Sequence, residues 1–369
     1  MPEAGNLSGR CILPESVRSI YSDAAPRDSY PGARTGICME WNRKRKRILL
    51  AIVWAAAALV AIIVLTHTNE LEDPDTARLK KFSACLLLTA GVLLFTAFED
   101  KILTLPAELW QNRYMIWRLS KNDFKKRYAG SYLGVVWSMV PPVVTVIMYW
   151  VVFDMVFQSG PQATYTGGEV PYVLFLTAGL VPWFFFSDAV TGAMVSLLEY
   201  NYLVKKVVFK VSILPIIKII AAMFVHVGFT AVLLVIAAMY GYYPSVYSLQ
   251  LIYYTFCEFM LVLAISYATC SIVVFFRDLQ NLVSVLLQVG MWATPILWNI
   301  NTMGGNYTSF IKLNPMCYIV EGYRSAVYEH QWFFEHFYST TYFWIVVALL
   351  FVISSLIFKR LKPQFADVM

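Results

Sequence analysis

The sequence predicts an all-α integral membrane protein, and three observations carry that class. Hydrophobic residues are 59% of the 369 and charged residues 14%, against roughly 45–50% and about 25% in soluble domains, and mean hydropathy is +0.60. Apolar runs of about one bilayer thickness recur along the chain. Lys and Arg gather beside alternate runs, as membrane insertion requires, so the net charge of +6 reflects topology, with no basic patch for nucleic acid. The six cysteines include no CxxC pair, so neither a disulfide framework nor a metal site is expected.

Residues 1–42 mix Gly, Pro, Ser, Asp and Arg with few large apolar side chains, and read as a disordered cytoplasmic tail. The segment 43–100 reads as an extra two-span hairpin. Arg43–Arg47 hold the N-terminus of the first span, Ile48–Thr66, on the cytoplasmic side. The second span, Phe82–Phe98, is the weakest. Between them, Asp73-Pro74-Asp75 has the outline of a sugar-transferase DxD motif, but proline between two acids in a short polar loop reads as a turn.

The segment 101–131 is expected to be an amphipathic helix lying in the headgroup layer. At 100° per residue Trp110, Tyr114, Trp117, Phe124 and Tyr128 fall within about 40° of one line, interrupted by Lys121, with Arg113, Arg118, Lys125, Lys126 and Arg127 around the remaining surface. Rings sunk in lipid and cations facing phosphate suit an interfacial helix; the same cations also serve as a positive-inside flank. At KKRYAGSYLGVVWSMVPP, from Lys125 to Pro142, this surface segment turns directly into an apolar run.

Six spans follow within 132–369: Leu133–Phe157, Pro171–Leu198, Ser212–Tyr240, Tyr247–Phe276, Leu279–Trp298 and Tyr342–Phe358. Segments 99–131, 199–211, 277–278 and 359–369 carry seven, three, one and three Lys or Arg, while 158–170 and 241–246 carry none, which predicts both termini in the cytoplasm. No GxxxxGK[ST] loop occurs, so the chain is not expected to hydrolyse a nucleoside triphosphate itself.

Asn201–Leu214 alternates Leu203, Val207 and Phe209 with Lys205, Lys206 and Lys210 before Pro215 opens a new helix. An exposed Val207-Val208-Phe209 run suits docking into a partner better than a solvated loop. The region 299–341 is external and aromatic, and its apolar stretches are too short to span, so re-entrant or interfacial helices are expected. His330, Glu335 and His336 lack zinc-helix spacing, and Asn306-Tyr307-Thr308 matches a glycosylation sequon without other support.

Ionisable residues inside spans are functional candidates by default: Asp188, His226 and Glu258. Glu258 either touches a transport path or pairs with another helix, since either arrangement meets the cost of burying a carboxylate. Lys218 is expected to snorkel to the cytoplasmic face. Tyr149, Trp150, Trp183, Phe184, Phe185, Trp292 and Trp298 are candidate platforms for the apolar faces of sugar rings, although aromatic belts also anchor ordinary membrane helices.

RYAGSYLGVVW from Arg127 to Trp137 with Pro141-Pro142, NYLVKKVVFKVSILP from Asn201, FFRDL from Phe275, ATPILW from Ala293 and LNPMCYIVEGYR from Leu313 together resemble the membrane subunits of ABC-2 type transporters, specifically the exporters of O-antigen, capsule or teichoic acid. The resemblance covers about residues 105–365. It implies a six-span ABC-2, type V exporter-like core behind the interface (gate) helix, with 43–100 as an addition to that pattern. It also implies a homodimer of permeases in the bacterial cytoplasmic membrane, on two copies of a separate subunit that binds ATP and Mg. Asn201, Leu203, Lys206, Val207, Phe209 and Pro215 then form the ATPase-coupling segment, with Arg277 and Asp278 in a cytoplasmic turn. No cofactor is expected in this chain. A pyrophosphate-bearing lipid-linked polymer is expected to enter at Lys125, Lys126, Arg127 and Tyr128, among membrane lipids. A permease for a drug or small lipid, and a membrane-embedded glycosyl or acyl transferase, are the alternatives.

Overall fold

The computed structural model describes residues 51–369 except 52, 56, 60, 63–64, 66–73, 98–103, 129–131, 133, 166, 205–209, 301–309, 336 and 369. The tail 1–42 and much of the first expected span lie outside the described residues. So do Asp73, the sequon and His336.

The described chain is helical apart from its connections and one small hairpin. Helix α1 is Pro74–Ala97, α2 Thr104–Gln111 and α3 Arg113–Arg127. A 3-10 turn, Gly134–Ser138, leads into α4, Val140–Trp150, which continues as a π turn over Val151–Val156. Strands β1, Gln162–Ala163, and β2, Glu169–Val170, pair antiparallel. Then come α5, Tyr172–Glu199; α6, Leu214–Met239; α7, Gln250–Val273; α8, Leu279–Ala293; α9, Pro315–Arg324 with a π turn over Ser325–Glu329; and α10, Phe337–Leu361. Among the described residues five stretches are long and apolar enough to cross a membrane: 136–156, 172–199, 211–239, 246–273 and 337–364.

Helix α5 is the axis. Its most apolar window is 83% buried, against 6% for 136–156, because α4, α6, α7, α8 and α9 all pack on it. A helix apolar on every side must be enclosed or lie in lipid; α5 is enclosed, whereas α4 leaves Val144, Ile147 and Met148 uncovered. Helix α1 packs on α10, which gives the second N-terminal segment a seat on the core.

Three sequence expectations are corrected. Pro74 opens α1 where a turn was expected, because a first-turn proline forfeits no helical hydrogen bond and its fixed φ suits the helix; the helix therefore starts eight residues before Phe82. The interface helix is broken at Asn112, whose side-chain amide donates to the Glu108 carbonyl, separating α2 from α3.

The fifth core span, expected over Leu279–Trp298, ends as a helix at Ala293. Thr294 precedes Pro295 and is extended, at ψ 140°, since proline's ring disfavours helical geometry in the residue before it. Fifteen residues reach only about 22 Å, short of the ~30 Å hydrocarbon. Beyond the break, carbonyls no longer served by a helix find protein donors: Arg324 Nη2 donates to Ile296 at 3.0 Å and the Tyr172 hydroxyl to Leu297 at 2.8 Å. Irregular backbone within a bilayer is tolerated where protein supplies such partners.

Arg324 is only 1% exposed. Its guanidinium lies 3.6 Å from the Phe175 ring centroid and 2.7 Å from a Glu321 oxygen. Helix α9 is capped by Asn314, whose side chain accepts from the Met316 amide, and approaches α7 so closely that a Cβ on Gly322 would fall 2.0 Å from the Tyr254 ring. The segment after α9 is clasped by Gln250, buried at the start of α7. Its amide donates to the Gln331 carbonyl at 2.9 Å and its oxygen accepts from the Phe333 amide at 2.8 Å. The hairpin is tied to the same end: the Tyr165 amide donates to Glu329, and the Asn299 side chain donates to the Ala163 carbonyl.

Removing Arg324 leaves the buried Ile296 carbonyl without its donor and the part-exposed Glu321 without its cation, a cost of about 1–3 kcal/mol. Arg324→Met is expected to lower the melting temperature of the detergent-solubilised protein, and Arg324→Lys to restore little, because an ammonium cannot stack and fork together. A melting temperature for Arg324→Met within a degree or two of wild type contradicts this account.

Burial, then the neighbouring Glu321, pushes the Glu329 carboxyl from 4.5 up to about 7. The folded state then holds a proton that the unfolded chain releases, so this contribution is complete below pH about 4.5 and is lost as pH rises to about 7, a change of about 3 kcal/mol. Melting temperature is expected to fall across that window, and Glu329→Gln to flatten the dependence; an unchanged profile in the variant contradicts the assignment.

Candidate substrate site at the interface helix

Helix α3 carries one acid, Asp123, among six cations. Ile116, Ser120 and Asp123 recur at helical spacing on its buried face, which packs on α6; Trp117 and Phe124 both set their rings against Phe224. Trp110 and Tyr114 are 73% and 79% exposed, with the Arg113 guanidinium over both rings at 5.5 and 5.0 Å. The expected aromatic stripe therefore divides between rings packed on the protein and rings left outside.

Two ion pairs one turn apart fasten α3. Asp123 Oδ1 accepts from Lys218 Nζ at 2.9 Å, and from the Tyr200 hydroxyl. Lys218, at 7% exposure, also pairs with Glu199 and stands 5.2 Å from the Tyr200 ring centroid. This overturns the expectation that Lys218 snorkels: a partner on α3 met the ammonium inside the protein. Burial, followed by Asp123, pushes the Tyr200 phenol up, so it stays a donor. Four residues on, Arg127 Nη1 donates to Asp188 at 3.0 and 3.2 Å; Asp188 raises the guanidinium against the lowering effect of burial.

Arg127, Tyr128 and Asp188 stand at one end of a cavity of about 430 Å³. It runs between α4, α5 and α6 along Pro141, Pro142, Phe184 and Phe185 to His226. His226 Nε2 meets the Tyr323 hydroxyl at 2.8 Å and Thr255 at 3.3 Å. Lys126 lines a second, polar recess with Asp123, Glu199 and Lys218, while Lys125 is exposed.

The remaining candidates scatter. Trp183 is buried, packed between Phe186 and Gly290. Tyr149 stacks loosely on Phe153. The Trp150 indole donates to Asp154 at 3.1 Å. Trp292 is 63% exposed, its carbonyl accepting from the Trp298 indole. Glu258 is wholly buried, and neither carboxylate oxygen has a hydrogen-bond partner of normal geometry among the described residues, so it neither lines the cavity nor pairs with a charge. Asn201 and Leu203 begin a helical turn after α5, and Pro215 stands in the first turn of α6; Lys206, Val207 and Phe209 lie outside the described residues. Arg277 and Asp278 form the turn between α7 and α8.

A family model described as ABC-2 type transporter matches residues 114–328. The chain belongs to the ABC-2 type transporter family. This match takes in α3 from Tyr114 onward, the cavity and the buried arginine. The chain is 29% identical over 62% of its length to the O-antigen export system permease protein RfbA of Myxococcus xanthus, covering 86% of that protein. It is 27% identical over 68% of its length to the permease of the same name from Klebsiella pneumoniae, covering 93% of it. The polysialic acid transport protein KpsM of Escherichia coli is 23% identical over 56% of the chain, 78% of KpsM. The protein is thus a multi-pass ABC-2 membrane protein, and its relatives are transport permeases.

Lys218→Met is expected to destabilise by about 3–5 kcal/mol by leaving Asp123 buried without its cation, and the double change with Asp123→Asn to recover most of that. Melting curves and proteolysis of α3 measure both; a double variant no better than the single contradicts the pairing.

Proposed function

We propose that the chain is the permease subunit of an ATP-driven exporter that moves a lipid-linked polysaccharide across the bacterial cytoplasmic membrane, with both termini in the cytoplasm. The observation that carries this reading is that O-antigen export permeases align with the chain over 86% and 93% of their own lengths, while the family match takes in the segment that bears the Arg127 cavity. The permease acts as a homodimer. The weakly buried 136–156 span and the exposed Val285, Leu286, Val289 and Trp292 of α8 leave apolar faces suited to a second copy and a path between them. Two copies of a separate subunit bind ATP and Mg, since the sequence has no phosphate-cradling loop. They dock on the coupling segment 199–211, where Val207→Asp with Phe209→Asp releases them and leaves the permease folded. The chain needs no cofactor. A basic interfacial helix and aromatic surfaces favour a pyrophosphate-bearing glycolipid over a drug or small lipid.

Pyrophosphate binds at Arg127, with Lys126 and Tyr128 beside it, by displacing Asp188 from the guanidinium. The Arg127 and Asp188 side chains are 30% and 46% exposed, and a pair so open to solvent is exchangeable. Arg127→Gln is expected to raise about tenfold the glycolipid concentration that half-stimulates ATP hydrolysis by the assembled transporter, Arg127→Lys to recover only part, and Asp188→Asn to lower it. Lys121→Gln, at an exposed residue outside the cavity lining, supplies the baseline for generic surface charge. Equal small losses for Arg127→Gln, Lys126→Gln and Lys121→Gln would place substrate binding elsewhere.

A further inference from the structure

The inner part of the cavity is unusual for a space between apolar helices. Half of its sixteen lining residues are polar or charged, and they continue inward from the mouth. From Asp188 to Val181 along α5 is about 10 Å, and over that depth α5 contributes Phe184, Phe185 and Ser187 while α4 contributes Thr145.

At the floor stands His226, 3% exposed. Its Nε2 is occupied by Tyr323 and Thr255. Its Nδ1 is buried with no hydrogen-bond partner that meets distance and angle criteria among the described residues, although the Val181 backbone lies near the ring. The imidazole lies 4.8 Å from the Phe185 ring, and Phe184 sets its edge on Phe229 at 5.6 Å. A buried, unpartnered polar atom in a native fold calls for an explanation.

We infer that the cavity between the Arg127–Asp188 pair and His226 holds the first sugar residue of a lipid-linked glycan, with His226 Nδ1 bonded to one of its hydroxyls. This rests on reading Arg127 as the pyrophosphate contact, which puts the sugar next to the cavity mouth. The lining discriminates between the two groups attached to a pyrophosphate. An isoprenoid chain needs an apolar slot and leaves Nδ1 unsatisfied, whereas the Thr145 and Thr191 hydroxyls already donate to carbonyls of their own helices. A sugar ring sets its C–H face on Phe184 or Phe185 and its hydroxyls on the imidazole and the Ser and Thr side chains. The volume lies within the ~300–1,000 Å³ usual for small-molecule sites.

Binding to the full-length permease in lipid nanodiscs tests this with two probes: polyprenyl pyrophosphate alone, and the same lipid carrying one N-acetylhexosamine. Wild type is expected to prefer the sugar-bearing lipid by about tenfold, the effect of one well-made buried hydrogen bond with ring contact. His226→Phe is expected to bring the ratio near one without changing affinity for the bare lipid. Because His226 also supports Tyr323, Val225→Trp serves as an independent variant that fills the cavity from a half-buried position, with the same expected outcome.

A wild-type ratio near one, or a preference that survives Val225→Trp, overturns the sugar site. Equal weakening of both probes by Val225→Trp overturns it in favour of the isoprenoid chain. Arg127→Gln weakens both probes by the same factor if the pyrophosphate reading holds. Should Arg127→Gln leave both affinities unchanged, that reading fails, while the ratio still reports on the cavity.

Discussion

The Asp123–Lys218 pair is the constraint on which the candidate site depends. It joins a surface helix to the second residue-rich wall of the cavity, α6, and holds Asp123 at a fixed point one turn before Arg127. Helical geometry then leaves Arg127 little choice of position: four residues on, it faces the same side and meets Asp188 on α5. The cavity mouth is therefore defined by three helices whose relative placement is set by buried charge. Of the two pairs, the buried one anchors and the half-exposed one is open to exchange with an anion. A second set of ties, from Glu108 to Ser212 and Lys362, holds α2 against the start of α6 and the end of α10.

A second constraint works at the opposite end of the spans. Helix α8 is stopped by Pro295 well short of a membrane thickness, and the backbone that follows has carbonyls to satisfy away from water. Arg324 and Tyr172 satisfy two of them from different helices. The arginine is thus a structural donor whose charge is balanced by Glu321 and whose flat face is covered by Phe175. Gly179 lies beside it, where a Cβ would come within 3.2 Å of the guanidinium and 3.3 Å of Ile296. The enclosed helix, the broken helix and the buried cation form one arrangement.

Much of this was legible in the amino-acid order. Apolar runs located the core spans because hydrocarbon thickness sets their length, and the basic, aromatic run before Gly134 marked the interface helix and Arg127. Asp188 and His226 stood out because charge and imidazole are rare in such runs, and both line the cavity. Lys218 was visible but its partner was not, although Asp123 is the lone acid of α3 and Lys218 the lone lysine of α6; pairing across 95 residues is a tertiary fact that periodicity does not carry. Asp154 escaped notice inside the first core span, and Arg324 reads in the sequence only as a charge of the external re-entrant region, not as a buried donor. Trp183 and Phe184 are neighbours in sequence, yet one is sealed in the core and the other lines the cavity, a distinction made by the helices around α5. The break after α8 was foreshadowed by Thr294-Pro295, a local signal outweighed by continuous hydropathy.

Gln250 has a mechanical consequence. Its carboxamide grips a carbonyl and an amide two residues apart on the segment after α9, as a neighbouring β-strand would. It does so from the first residue of α7, so the aromatic loop carrying Trp332 and Phe334 is geared to that helix. Two bonds from one side chain couple the loop backbone to the start of α7, so a displacement of that helix end is passed to the loop.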